Sequence, residues 1–410
     1  MIQIKDKSLC CGCSACAQRC PKQCISLASD EEGFLYPEVN TDACIDCGLC
    51  EKTCPVLKGQ EPLAPASVYA AKACSDDVRL KSSSGGIFSL IADYVLSQGG
   101  VVFGAAFDSN WAVRHIYISD KKDLHLLMGS KYVQSEIGNT YNEAESLLKA
   151  GRNVLFSGTP CQIAGLKQYL RKEYENLLTV DIVCHGVPSP LVWDEYKKTI
   201  PAKRVDGKYS VSLSLKDIPS ITGISFRDKR NGWQIFGFAA QMSASKADKN
   251  TVLQHYEPKD KNPYLVGFLS NIFLRPSCYK CGFKQGRSHA DITLADFWGA
   301  KNEHPDIYDD KGISCIIAYN RKAESIIESL DVIKELSTIE KFTGQNPAYL
   351  KPHAIPANRE KFWPEFHRKG VLEAINKYAR QSTKEYIRSM IIVLIGKLGL
   401  INTIKKIIGK

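Results

Sequence analysis

Cysteine dominates the chemistry this sequence can do. Cys10, Cys13, Cys16 and Cys20 are followed by Pro21, and Cys44, Cys47, Cys50 and Cys54 by Pro55. Each run reads CxxCxxCxxxCP. Three thiolates on a tight loop can cap three corners of an iron-sulfur cubane, while the fourth reaches elsewhere. Paired CxxC runs also make structural zinc sites, but zinc takes four ligands and would leave half of these cysteines unused. Two complete copies with their trailing prolines therefore point to two 4Fe-4S clusters. In this pattern each fourth cysteine ligates the other cluster. That assigns Cys10, Cys13, Cys16 and Cys54 to a first cluster, and Cys44, Cys47, Cys50 and Cys20 to a second. Cys11 and Cys24 fall outside the spacing and read as small buried residues.

Four more cysteines stand at suggestive places. Cys161 lies in Ser157-Gly-Thr-Pro-Cys-Gln162 and Cys184 in Asp181-Ile-Val-Cys-His-Gly186, each after an apolar run, and Cys278 and Cys281 form a CxxC. If the loops open on one edge of a sheet, the four thiolates can meet as a third 4Fe-4S site. Zinc at the CxxC, or Cys161 as a nucleophile with His185 as its base, stays open on spacing alone. Ser82-Ser-Ser-Gly-Gly86 immediately precedes a helical run. Serines and glycines there suit a phosphate or pyrophosphate, and the plainer reading is helix capping.

These residues need elements to hold them. At 410 residues the chain exceeds the usual size of one core, and 44% apolar with 24% charged residues is an ordinary globular composition. The first nine residues have no apolar signal-peptide core, so metal-bound thiolates in a reducing cytoplasm are expected rather than disulfides. Residues 1–57 read as a bacterial-type dicluster ferredoxin fold, with Phe34-Leu-Tyr-Pro37 after Glu32-Gly33 as a turn between short strands. The proline-marked stretch 58–67 reads as a linker.

Beyond it, Val68 to Ala73 and Val101 to Phe107 are β-rich around a helical pattern over Ile87 to Ser97. Asn153 to Phe156 leads through a loop to a helix over Ile163 to Leu170, and Leu178 to Val183 is another strand. Alternation of this kind implies an α/β sheet, over 68–150 and 151–330. Ser210 to Met242 suggests an antiparallel extension. The fold class expected is α+β: the dicluster ferredoxin, then an α/β sheet domain with that extension. Residues 331–385 read as a helical extension and 386–410 as a basic amphipathic tail. Neither GxGxxG after a strand nor GxxxxGK[ST] occurs.

From Asn376 onward eight basic residues face the single acid Glu385, so the tail holds seven of the ten net positive charges. The remainder is nearly balanced, which argues against a nucleic-acid surface. Ile387, Ile391, Leu394, Leu398, Ile401, Ile404 and Ile408 form one stripe of the tail. It is too interrupted to span a bilayer, and suits peripheral contact with the inner membrane face or docking on protein.

Ser83-Ser-Gly-Gly86, Gly129-Ser-Lys-Tyr132, Gly158-Thr-Pro-Cys-Gln162, Cys184-His-Gly186, Cys278-Tyr-Lys-Cys281 and Ala290-Asp-Ile-Thr-Leu-Ala-Asp296 together resemble the β subunit of coenzyme F420-reducing hydrogenases and F420 dehydrogenases. That family also includes 7-hydroxymethyl chlorophyll a reductase. With the ferredoxin front end the resemblance covers residues 1 to about 330. Gly223-Ile-Ser-Phe-Arg-Asp228 and Asp296-Phe-Trp-Gly299 look like its bacterial branch. The resemblance implies an FAD-containing oxidoreductase with Ser83, Ser84, Gly85, Gly86, Lys131 and Tyr132 near the flavin. It implies a cluster on Cys161, Cys184, Cys278 and Cys281. Lys131 would then favour a reduced, anionic flavin.

The function expected is electron transfer between a redox partner protein and a two-electron small-molecule substrate, F420-like or another organic molecule, through 4Fe-4S clusters and FAD. His185 is the candidate catalytic residue. The alternative is a subunit without flavin that feeds a partner enzyme.

Overall fold

The computed structural model describes residues 1–200, 220–243 and 252–379. The tail expected over 386–410 and the first part of the expected antiparallel extension, 210–219, lie outside them. Within each cysteine run the chain turns through two left-handed residues, Gly12 (φ 71°) and Ser14 (φ 63°) or Asp46 (φ 47°) and Gly48 (φ 68°), into a short helix, Ala15–Gln18 or Leu49–Lys52. Between the runs β1 (Ile25–Ser29) and β2 (Leu35–Val39) make an antiparallel hairpin with Ile25 opposite Val39. Asp30 closes its turn: Oδ1 accepts from the backbone N–H of Glu32 at 3.1 Å and of Phe34 at 2.9 Å.

The larger unit supplies β3 (Ser67–Ala73), β4 (Val101–Phe107), β5 (Val113–Ile118), β6 (Val154–Gly158) and β7 (Leu177–Ile182). There follow β8 (Ile221–Asp228), β9 (Gly237–Ser243) and β10 (Val252–Pro258), then β11 (Ile292–Asp296), β12 (Ser314–Ala318) and β13 (Val332–Leu336). Among the described residues β8, β9 and β10 form an antiparallel sheet, the extension expected from sequence. The main sheet runs β13-β3-β12-β11-β7-β6-β4-β5.

At its centre β4, β6, β7 and β11 are parallel, and two antiparallel steps through β12 leave β3 pointing the same way. These strands are near-continuous apolar runs because both faces are covered. The helix Ile87–Ser97 packs Ile87, Ile91 and Val95 with Leu155, Val180 and Ile316 on one face. On the other, the helix Pro160–Leu170 sets Ile163 and Leu166 with Phe103, Phe156 and Leu177.

One expectation needs correction. The stretch 331–385 opens not as a helix but as β13, which pairs antiparallel with β3 and covers an edge that would otherwise present unpaired backbone groups. Helices begin only at Ile339.

The ferredoxin-like unit is seated on the sheet domain. Gly165, in the helix Pro160–Leu170, faces Cys13 so closely that an added Cβ would lie 2.8 Å from the Cys13 Cβ. Glu32 pairs with Arg359, and its carbonyl accepts from Ser189 Oγ at 2.5 Å. The segment 58–67 lies along the same domain, with Ala66 N–H donating to Ala318 O at 2.8 Å.

Candidate functional site

The loops at the C-terminal ends of the parallel strands meet at one rim, the place where open α/β sheets hold ligands. The 82–86 loop follows β3, residues 129–132 follow the β4–β5 hairpin, Cys161 follows β6, Cys184 and His185 follow β7, and Asp296 ends β11. The first-run cysteines stand against this rim.

Cys13, Cys16 and Cys54 are buried, and each stands close enough to other cysteines for thiolate charges to repel. Burial pushes the Cys16 thiol up to about 12, with Cys10 and Cys54 adding to it. Burial likewise raises Cys54, with Cys10 and Cys50 among its neighbours. Such a group cannot hold four bare thiolates. It can hold them around cations, since metal binding releases the protons. Cys20, Cys44, Cys47 and Cys50 instead line a separate cavity at the surface, together with Cys24. Two backbone N–H groups already point at sulfur there, Ile2 to Cys50 at 3.3 Å and Asp46 to Cys44 at 3.4 Å. Cys54 thus stands with the first run and Cys20 with the second.

Cys161, Cys184, Cys278 and Cys281 come from three segments and are all partly buried. A capping box, in which Thr159 and Gln162 satisfy each other's backbone groups, starts the helix at Pro160 and puts Cys161 in its first turn. Burial pushes the Cys184 thiol up to about 12, with Cys161 and Cys281 adding to it. Cys278 is raised by burial and then by Cys184, Cys161 and Cys281. All four thiols therefore lie within one another's field. Among the described residues no three His, Cys, Asp or Glu side chains close on a single metal ion. Four soft thiol donors brought together from three segments are the donor set that a 4Fe-4S cluster takes. Cys11, read from sequence as a small buried residue, is buried between the two groups and adjoins both Cys13 and Cys161.

His185 lies against His353 with ring centroids 4.1 Å apart and planes tilted by 38°, and its Nε2 lies 2.5 Å from Asn271 Oδ1. Burial, helped by His353, holds its pKa down at about 4, so the ring is neutral. Phe268 lies 4.7 Å from His185 on one side and 4.5 Å from Tyr132 on the other. Through Phe268, then, the Cys184 loop adjoins Tyr132.

The two segments expected near a flavin do meet: Ser83 Oγ accepts from Ser130 N–H at 2.7 Å and from Ser130 Oγ at 2.8 Å. Ser84 Oγ donates to Ile313 O at 2.9 Å, and Gly85 N–H donates to Ser314 Oγ at 3.0 Å. A Cβ at Gly85 would lie 2.6 Å from Ala71 O, so only glycine lets the loop press against β3. Lys131 Nζ donates to Met128 O at 2.9 Å, and burial lowers its pKa to about 7.

Sequence reasoning missed the charged residues beside Tyr132. Arg227 is buried, holds Asp296 at 2.8 and 3.2 Å, reaches Tyr132 Oη at 3.3 Å, and lies over the rings of Phe236 and Trp298. Trp233 Nε1 donates to Asp296 Oδ1 at 2.8 Å. Lys229 Nζ donates to Ser84 O at 3.2 Å and Lys311 O at 2.8 Å, and burial lowers its pKa to about 8. The signal was present in Gly223-Ile-Ser-Phe-Arg-Asp228 and Asp296-Phe-Trp-Gly299, of which Arg227 and Asp296 pair. Among the described residues no helix is long and apolar enough to cross a membrane.

Residues 68–140 match the family model for the N-terminal region of the coenzyme F420 hydrogenase/dehydrogenase beta subunit, and residues 151–341 match that for its C terminus. Residues 9–57 match the 4Fe-4S dicluster domain. Ferredoxins from Mycolicibacterium smegmatis and Streptomyces griseus are each 38% identical over 55 residues, 13% of this chain and 41% of theirs. Ferredoxin-1 from Caulobacter vibrioides is 40% identical over 53 residues, 13% of this chain and 42% of its own. The chain thus spans less than half the length of these curated relatives. A chain of the xenon-derivatised F420-reducing NiFe hydrogenase complex from Methanosarcina barkeri superposes with a TM-score of 0.41 at 14% identity, over 78% of this chain and 91% of that one.

Proposed function

The chain belongs to the coenzyme F420 hydrogenase/dehydrogenase beta-subunit family and carries a 4Fe-4S dicluster domain, and on that footing we propose that it is a flavin-dependent oxidoreductase with three 4Fe-4S clusters. It exchanges electrons with a redox partner protein and a two-electron organic substrate, F420 or a molecule like it. When bound, 4Fe-4S clusters supply one-electron chemistry, and a flavin supplies one- or two-electron chemistry. The observation that carries the reading is the convergence of Cys161, Cys184, Cys278 and Cys281 at the rim, between the first ferredoxin loop and the cluster of Tyr132, Arg227 and Asp296.

The chain's own residues have distinct parts in this. Cys10, Cys13, Cys16 and Cys54 hold the first cluster, Cys44, Cys47, Cys50 and Cys20 the second, and the converging four the third. Ser83, Ser84, Gly85 and Gly86 fix one wall of the flavin cleft. Tyr132 offers a ring face, and Lys131 gains a proton at Nζ as negative charge develops beside it. His185, neutral and tied to Asn271, orients the loop that carries Cys184. One observation favours a second reading, an electron-transfer subunit without flavin: the Ser83 and Ser84 hydroxyls are already engaged within the protein.

Iron, sulfide and flavin counted per chain, on protein purified without oxygen, separate the two. About twelve irons with about one flavin support the oxidoreductase. About eight irons and no flavin sink it in favour of the carrier.

A further inference from the structure

Arg275 is wholly buried, yet its guanidinium has no carboxylate partner among the described residues. It donates to Cys10 O at 2.7 Å, Leu35 O at 2.9 Å and Gln134 Oε1 at 3.0 Å, and Nη2 lies 3.6 Å from Cys10 Sγ. The first cysteine loop is wrapped on it: a Cβ on Gly12 would lie 2.7 Å from its Nη1. The other buried arginines are neutralised, Arg79 by Asp309 at 2.7 Å and Arg227 by Asp296 at 2.8 Å.

Lys284 repeats the pattern at the second constellation. It is 7% exposed, and its Nζ donates to Cys184 O at 2.5 Å. It too has no carboxylate partner among the described residues. The surface cavity of Cys20, Cys44, Cys47 and Cys50 is different. Its Met1 amine is tied to Asp46 at 3.0 Å and Glu51 at 3.4 Å, and Lys22 is open to water.

A buried cation without a counter-charge costs several kcal/mol, so it implies an anion beside it. A thiolate-capped cluster is such an anion, and each electron added makes it one unit more negative. In a low-dielectric interior a fixed cation therefore favours the reduced form.

Resting on the proposed cluster sites, we infer that Arg275 and Lys284 are the counter-cations of the two inner clusters. They raise the inner reduction potentials above that of the surface cluster, so electrons delivered at Cys47 run inward. Each transfer moves one electron: the surface cluster is oxidised by one as the inner cluster is reduced by one, and no bond forms or breaks. The donor is a low-potential one-electron protein.

The test is a redox titration of the full chain, purified without oxygen and followed by electron paramagnetic resonance, with iron counted in parallel. In Arg275→Gln one signal should move to lower potential by at least tenfold in its one-electron equilibrium, about 59 mV. Arg275→Lys should largely restore it, and Lys284→Gln should move a different signal. Full iron with unmoved potentials in Arg275→Gln overturns the inference and leaves the cluster sites standing. If Arg275→Gln loses iron, the wild type decides. There the lowest-potential signal must be the one relaxed by a soluble dysprosium chelate, which reaches only a surface cluster, and any other order overturns the inference. Fewer than about eight irons in the wild type removes the cluster reading itself and this inference with it.

Discussion

At the scale of single residues, the surroundings of Tyr132 depend on the pairing of Arg227 with Asp296. Asp296 also accepts from Trp233, so removing its carboxylate strands a buried guanidinium and breaks the hydrogen bond from the indole N–H together. Asp296→Ala should lower stability by about 3–5 kcal/mol in denaturant melts, and Arg227→Met added to it should recover part of the loss. A loss below about 1 kcal/mol would mean that solvent reaches the pair. Lys131 gives a pH signature. Between about 7 and its ordinary value of 10.5 the unfolded chain keeps a proton that the folded chain has released. Stability therefore rises with pH across that window. The wild type should gain on Lys131→Met as pH climbs from about 7 to about 10, and parallel stability curves would contradict the burial of the ammonium. Residue type explains what could be read beforehand. Cysteines at fixed spacing announce cluster chemistry, whereas the segments of Arg227 and Asp296, 69 positions apart, do not announce that the two pair until the fold brings the two sheets together.

At the scale of elements, the helix Pro160–Leu170 is the floor on which the first cysteine loop rests. Gly165 leaves no room for a side chain: a Cβ there would meet Cys13 Cβ at 2.8 Å and Tyr141 Oη at 2.9 Å. Gly165→Val should overpack this contact by about 1–3 kcal/mol and cost the protein about four irons while leaving the surface cluster loaded. Retention of all iron would show that the loop can move away without losing its metal. The hairpin, the alternating strands and the helix at Ile87 were legible because period and turn residues are local signals. Strand order is not local, so nothing in Val332–Leu336 announced an edge strand beside β3. Nor did apolar spacing place the start of the 160–170 helix, which Thr159, Pro160 and Gln162 set through capping.

At the scale of the whole molecule, the cysteine groups and the residues around Tyr132 form a series. It runs from the surface cavity of Cys47, through the loop resting on Arg275, past Cys11 to the rim at Cys161, and across Phe268 to Tyr132. Order along that series comes from tertiary contacts between the ferredoxin unit and the sheet. That is why sequence named most of its members but not their succession. The claim on which the series hangs is that Cys161, Cys184, Cys278 and Cys281 hold a cluster of their own. It is tested most directly by counting iron in the wild type beside a Cys184→Ala, Cys281→Ala double variant, both purified without oxygen. The account predicts about twelve irons falling to about eight, with the ferredoxin signals unchanged. About eight in both would contradict it.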